Sequence, residues 1–156
     1  MIPEEIKNLP DVQALGAWDP ECLLGGRFDR GELTLEIAPA KIVAGCDLLK
    51  TSRGYTFLAD LTCCDGYPVE PRFRIAYHLY ALERQENLRL AVSISGDDPK
   101  VDTVSVVWPT AGWFEREVFD LFGVVFTGHT DMRRILLPDG FEGHPLRKDY
   151  PVEGVR

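Results

Sequence analysis

The sequence lacks long apolar runs. Nothing in its 156 residues approaches the stretch of about 20 that a membrane-spanning helix needs. The N-terminal segment from Met1 to Pro10 is acidic and interrupted by Pro3 and Pro10, without the basic start and apolar stretch of a signal peptide. The chain is therefore expected to stay on the side where it is made and to reach a membrane only through partners. Basic charge is also scarce: 17 Lys and Arg stand against 25 Asp and Glu, a net charge of −8. This balance disfavours nucleic acid, whose phosphates need a basic stripe, and direct docking on anionic lipid heads. Cysteine is sparse, and Cys22, Cys46, Cys63 and Cys64 contain no C-x-x-C pair. Adjacent residues on a strand point to opposite faces, so Cys63 and Cys64 cannot share a ligand there. Free thiols are expected, with no zinc or iron–sulfur site on this chain.

Other absences narrow the chemistry further. No G-x-G-x-x-G dinucleotide fingerprint and no G-x-S-x-G nucleophile elbow occurs. Gly26 and Gly31 have phosphate-loop spacing, but Glu32 and Leu33 follow where Lys and Ser or Thr are required. There is no internal repeat and no low-complexity segment.

The residues present describe one globular domain. Hydrophobic content of 45% lets a chain of this length bury a core without disulfides or metal. The first thirty residues read as short helical pieces broken by Pro10 and Pro20, with Gly25-Gly26 loosening the chain before the first strand. Leu33, Leu35 and Ile37 alternate with polar residues as on a half-buried strand. Pro39 suits a helix start, Ile42, Val43, Cys46 and Leu49 share a helical face, and Gly54 suits its stop. Three alternating runs follow: Tyr55, Phe57, Ala59 and Leu61; Phe73, Ile75, Tyr77 and Leu79; Leu88, Leu90, Val92 and Ile94. Their short, polar links predict a meander. The expected class is α+β: a mainly antiparallel sheet of about four strands, packed by helices on one face and wet or partner-covered on the other.

After Pro109 the period changes. Phe114, Val118, Leu121 and Phe122 recur at helical spacing. Thr110 is the expected cap, Glu115 and Glu117 suit the positive end of the dipole, Arg116 pairs with Asp120 on the exposed face, and Gly123 suits the stop. The domain is accordingly drawn as residues 1–123 and an extended tail as residues 124–156. Beyond Leu137 the tail has little periodicity and is dense in Gly, Pro, His, Arg and aromatics. Ordering it would cost about 1–2 kcal/mol of backbone entropy per residue. It is therefore expected to be disordered or laid across another protein.

The acid–base candidates are Glu115, Glu117, Asp120, His129 and His144. A carboxylate–histidine site at the helix end is one reading; capping, ion pairing and turn contacts are the other, and the preferred one. From His129 to Tyr150 the tail is neutral, with four basic residues (Arg133, Arg134, Arg147, Lys148) against four acidic ones. Those cations serve either an anion site or bidentate pairing with carboxylates of a neighbouring protein; the mixture with aromatics favours the interface. Trp108, Trp113 and Phe114 read as core or interface anchors.

The segment Trp113 to Gly123 (Trp-Phe-Glu-Arg-Glu-Val-Phe-Asp-Leu-Phe-Gly) resembles the signature helix of the respiratory complex I thirty-kilodalton, or C-type, subunit family. The resemblance continues through Phe126 to Leu136 and through Gly143 to Pro151 (Gly-His-Pro-Leu-Arg-Lys-Asp-Tyr-Pro). It links Glu115, Arg116, Glu117, Asp120, His129 and Arg133 at the family's spacing. Thr130 departs from it, standing where Pro is common, and so does Asp139-Gly140-Phe141; both lie in turns. The specific likeness covers about a quarter of the chain, and earlier residues resemble the family in layout alone.

This resemblance implies a structural clamp in the hydrophilic arm of a proton-pumping NADH:quinone oxidoreductase. It implies binding to the D-type subunit, the forty-nine-kilodalton class, and to the cluster-bearing B-type subunit, the twenty-kilodalton class. FMN, Fe-S clusters and quinone would reside on neighbouring subunits, with no catalytic, cofactor or metal residue here. The location implied is the cytoplasmic face of the cell inner membrane, or the matrix or stroma side in an organelle. The chain looks like the unfused form. Trp113, Glu115, Arg116, Glu117, Asp120, His129, Arg133, Arg134, His144, Arg147, Lys148, Asp149 and Tyr150 become the implied signature and interface residues. Related subunits of membrane-bound hydrogenases, formate hydrogenlyases and ferredoxin-linked photosynthetic-type complexes share the resemblance.

Overall fold

A computed structural model describes residues 2–154. Its framework is a five-stranded sheet in the order β1-β2-β5-β4-β3, one strand more than the sequence predicts. The strands are β1 (Leu23–Asp29), β2 (Glu32–Ile37), β3 (Phe57–Asp65), β4 (Phe73–Ala81) and β5 (Glu86–Ile94). β3, β4 and β5 form the expected antiparallel meander, whereas β2 runs parallel to β5. The meander reads well because its alternation is clean. Phe73, Ile75, Tyr77 and Leu79 on β4 and Leu88, Leu90, Val92 and Ile94 on β5 all face the core. Burying each large apolar side chain contributes about 1.5–3 kcal/mol.

Helices α1 (Glu4–Lys7), α2 (Pro10–Trp18), α3 (Ile42–Arg53) and α4 (Ala111–Phe122) pack into the same core cluster. A 3-10 turn at Pro39–Lys41 leads into α3, whose Ile42, Cys46 and Leu49 are buried. α3 and α4 both end on left-handed glycines, Gly54 (φ 72°) and Gly123 (φ 74°), as expected. Pro10 opens α2 rather than breaking it, since proline at N1 forfeits no helical hydrogen bond. On the opposite sheet face, Arg74 pairs with Glu36 and Arg89 with Glu32.

Two strand readings are corrected. Gly25 and Gly26 lie inside β1 instead of loosening a loop. A Cβ on Gly26 would come within 2.7 Å of Ile6 Cδ1 and 3.0 Å of Leu35 Cδ2, so the glycine lets α1 pack against the sheet. On β3, the register shifts between Leu58 and Asp60. That irregularity turns Leu58 inward and leaves Phe57 49% exposed, contrary to the simple alternation.

The domain boundary is also corrected. Val124 and Phe126 are buried core residues. They flank or belong to β7 (Val125–Thr127), which pairs in parallel with β6 (Lys100–Asp102). The core therefore extends past residue 123. From 127 to 154 no residue is buried, yet the chain follows the surface of its own domain. This strap is ordered by polar contacts, an option that hydrophobic periodicity does not register.

The cysteines are free. Cys63 is buried and Cys64 exposed, on opposite faces. Burial pushes the Cys22 thiol up to about 11 and Cys63 up to about 12, which makes both poor nucleophiles.

Candidate functional site

The signature residues converge on α4 and the strap that folds back over it. α4 begins at Ala111, so Glu115 lies beyond the first turn, and the expected dipole role fails. Thr110 makes no side-chain cap hydrogen bond. Glu115 is fully buried and acts as a tie to the preceding loop. Its carboxylate accepts the Val104 N–H at 2.8 Å and the Thr103 hydroxyl. Burial raises its pKa, against the opposing effect of these two donors. Glu117 is exposed.

Asp120 is the hub of the strap, and the expected exposed pair with Arg116 is not formed. The carboxylate is fully buried. One oxygen accepts the N–H groups of Ile135, Leu136 and Leu137 at 3.0, 2.8 and 2.9 Å. The other accepts Arg134 Nη1 at 2.8 Å. A carboxylate near a helix C-terminus opposes the dipole; these four donors offset that and satisfy the buried charge. Burial would raise its pKa, but the strap N–H groups and Arg134 hold it below the usual carboxylate range. Arg116 instead donates to the Arg133 and Arg134 carbonyls, each at 3.0 Å, and lies over the Trp113 ring. Trp113 is 63% exposed, whereas Trp108 is buried with Nε1 donating to the Tyr55 carbonyl.

The histidines are engaged in backbone contacts. His129 Nδ1 accepts the Asp131 N–H at 3.0 Å. The proton of the neutral ring therefore sits on Nε2, which points at the Gly112 carbonyl 3.0 Å away. Glu115 and His129 do approach, with Oε2 to Nε2 at 3.9 Å. Both ring nitrogens are nonetheless committed, leaving no lone pair for a base or a metal. His144 Nδ1 lies 2.9 Å from the Asp120 carbonyl, and burial lowers its pKa.

The far end of the strap is fixed by contacts the sequence does not reveal. Arg72, one residue before β4, pairs with Asp65 at the end of β3 and with Asp149 of the strap, at 2.9 and 2.6 Å. Asp65 also accepts the Lys148 N–H at 2.8 Å. Arg72, against the opposing effect of burial, holds Asp65 well below the usual carboxylate range. Arg147 Nε donates to the Phe122 carbonyl at 2.6 Å, and Leu146 N–H to the Leu121 carbonyl at 3.1 Å. Tyr150 stacks on Phe141. Arg133 is highly exposed and pairs with Asp131. Asp65 and Arg72 carry no local signal of this role, since Asp149 lies 77 residues from Arg72.

Beside this network is a cleft of about 380 Å³ lined by Val106, Pro109, Trp113, Arg116 and His129. Among the described residues, no group of three or more His, Cys, Asp or Glu is placed to hold a metal ion, and no helix is long and apolar enough to cross a membrane.

Comparison with known proteins identifies the framework. Residues 35–156 match the family described as "Respiratory-chain NADH dehydrogenase, 30 Kd subunit". The C-type subunit of the NADH-quinone oxidoreductase of Geobacter sulfurreducens is 47% identical over 133 residues, covering 85% of this chain and 82% of the relative. Its counterpart in Cereibacter sphaeroides is 44% identical over 138 residues, covering 86% and 68%. Among solved structures, the trypsin-resistant fragment (1-134) of Nqo5 aligns with TM-score 0.60 and 33% identity, over 65% of this chain and 83% of that one. A chain of the membrane-bound sulfane sulfur reductase, an archaeal respiratory membrane complex, aligns with TM-score 0.76 and 25% identity, over 90% and 84%. With the signature helix, its strap and the sheet all accounted for, the chain belongs to the 30 Kd subunit family of the respiratory-chain NADH dehydrogenases.

Proposed function

We propose that this chain is a structural and assembly subunit in the hydrophilic arm of a proton-pumping NADH:quinone oxidoreductase. Its partners are the D-type subunit and the cluster-bearing B-type subunit. FMN, Fe-S clusters and quinone are held by neighbours, and the chain itself contributes no catalytic residue. It lies peripherally, on the cytoplasmic face of the inner membrane or the corresponding organellar side, and meets the membrane through the complex.

The observation that carries this reading is the strap. Residues 127–154 include no buried residue, yet two carboxylates, Asp120 and Asp65, organise their course over α4. Leu136 and Leu146 on the strap are left 62% and 52% exposed, and Trp113 on α4 63%. A chain that spends buried charge to hold apolar side chains outward is shaped for a partner surface. The engaged nitrogens of His129 support a structural rather than an acid–base role.

A second reading places the chain in a sister complex with another electron donor, and the likeness to a sulfane sulfur reductase chain favours it. Identity of 47% to an NADH-quinone oxidoreductase chain against 25% to that one supports the NADH-linked form. The experiment is an affinity pull-down from membranes with this chain tagged, followed by mass spectrometry. Recovery of the D-type, cluster-bearing and NADH-binding subunits supports the proposal. Hydrogenase-type or ferredoxin-linked partners move the chain to a sister machine. Absence of any stoichiometric partner defeats the assembly role.

A further inference from the structure

Arg147 is the half-buried arginine of the strap that meets no carboxylate. Its guanidinium is held on three sides. Nε donates to the Phe122 carbonyl at the end of α4. The cationic carbon lies 5.2 Å from the centre of the Phe73 ring. The backbone of Gly123 passes so close that a Cβ there would sit 2.6 Å from Nη2. None of these supports is an anion, and no ion pair reaches Arg147 among the described residues. Tyr77 Oη is the buried side-chain polar atom without a partner among them. The terminal nitrogens of Arg147 meet no hydrogen-bond acceptor among the described residues and are not sealed in the core.

Arg72 lies 4.9 Å from the same Phe73 ring. It engages Asp65 and Asp149 through two hydrogen bonds each, while the Glu70 carboxylate accepts its backbone N–H and that of Gly96. The carboxylates gathered around Arg72 thus take hydrogen bonds from donors other than Arg147. Burial lowers the pKa of Arg147, as does the charge of Arg72, against the opposing charges of Asp149 and Asp65.

We infer that Arg147 is a preformed receptor for a carboxylate side chain of a partner subunit, which docks bidentately on its open edge. This rests on the assembly role proposed above. The planar fork of an arginine fits a carboxylate at two points, and Arg72 beside it binds Asp65 in that manner. A protein partner fits better than a free anion because the rim is apolar: Leu146 is 52% exposed, as is 46% of Tyr67, whose ring carries Arg72.

The test uses the full-length tagged chain in membranes, with Arg147→Gln and Arg147→Lys compared with wild type under washes of rising salt. Arg147→Gln is expected to hold its partners at least about tenfold more weakly, because it strands a partner carboxylate without its cation. Arg147→Lys recovers only part, since an ammonium lacks the planar fork. A zero-length carbodiimide cross-link in the wild-type complex, mapped by mass spectrometry, should join Lys148 to an Asp or Glu of the partner. A folded Arg147→Gln chain that retains its partners as wild type does overturns the inference. So do cross-links from Lys148 that reach only this chain, a readout that stands even if the variant misfolds. Protection of Arg147 from phenylglyoxal by inorganic phosphate, with assembly of Arg147→Gln unchanged, would make the site an anion pocket and overturn it too. A wild-type chain that captures no partner instead defeats the assembly role on which the inference rests.

Discussion

At the residue scale, the two buried carboxylates of α4 behave oppositely. Glu115 has its pKa raised by burial. The folded state therefore holds its proton more tightly than the unfolded chain does. Stability is lost as pH rises from the unfolded value of about 4.3 through the raised folded value. Glu115→Gln keeps an acceptor for the Val104 N–H, and the Thr103 hydroxyl can turn its proton to Ser105 Oγ, 2.7 Å away. The variant is expected to melt at or above the wild-type temperature at pH 7, with the difference vanishing near pH 4. A melting point well below wild type at pH 7 would contradict this.

Asp120 has its pKa lowered by the strap N–H groups and Arg134, which outweigh burial. Its contribution is fully present above the unfolded value of about 3.9 and is lost as pH falls through the lower folded value. Acid should therefore loosen the strap, read as lower amide-exchange protection factors at Ile135 to Leu137 below about pH 4. Asp120→Asn removes the charge facing a half-buried Arg134 and is expected to cost about 3 kcal/mol in chemical denaturation. Neither role was legible in the sequence. Both residues lie on the signature helix, but their donors sit 11 to 17 residues away in irregular chain. Spacing along a helix cannot show such partners.

At the scale of elements, legibility followed regularity. β4 and β5 were legible because uninterrupted alternation leaves one way to face the core. β3 was half legible: one register shift turned Leu58 inward in place of Phe57. β1 was illegible because Gly25-Gly26 imitates a linker, while the packing of Ile6 over Gly26 is a tertiary fact. The end of α4 was legible from Gly123, whose reach is longer than a helix stop. A Cβ there would strain the left-handed backbone and push on His144 and Arg147, each 2.6 Å away. Gly123→Ala is expected to cost about 2 kcal/mol. It should also weaken partner capture by more than a comparable loss of stability elsewhere would, because it displaces Arg147. A thermal melt paired with the pull-down separates the two effects.

At the scale of the whole molecule, the compact domain and the strap obey different physics. The domain is held by one apolar cluster from Ile6 to Phe126. The strap is held by hydrogen bonds to charged groups and by ion pairs, and its outer part by the Arg72–Asp149 pair, the Lys148 N–H to Asp65 and the Arg147 contact with α4. Ion pairs and hydrogen bonds with one partner at the surface contribute about 0.5–1 kcal/mol each. Truncation after Leu137 removes the outer contacts and no buried residue, while keeping the three N–H groups that satisfy Asp120. Asp65 and Arg72 keep each other. The truncated chain should therefore fold with a melting temperature lowered by only a few degrees, as about 1–2 kcal/mol implies for a domain of this size. Assembly should fail, because Leu146, Arg147 and Lys148 leave with the strap. Circular dichroism melts and the membrane pull-down, run on the same preparation, decide between the outcomes. A folded, truncated chain that still assembles fully would show that the domain surface alone recruits the partner, and that the strap serves the fold rather than the complex.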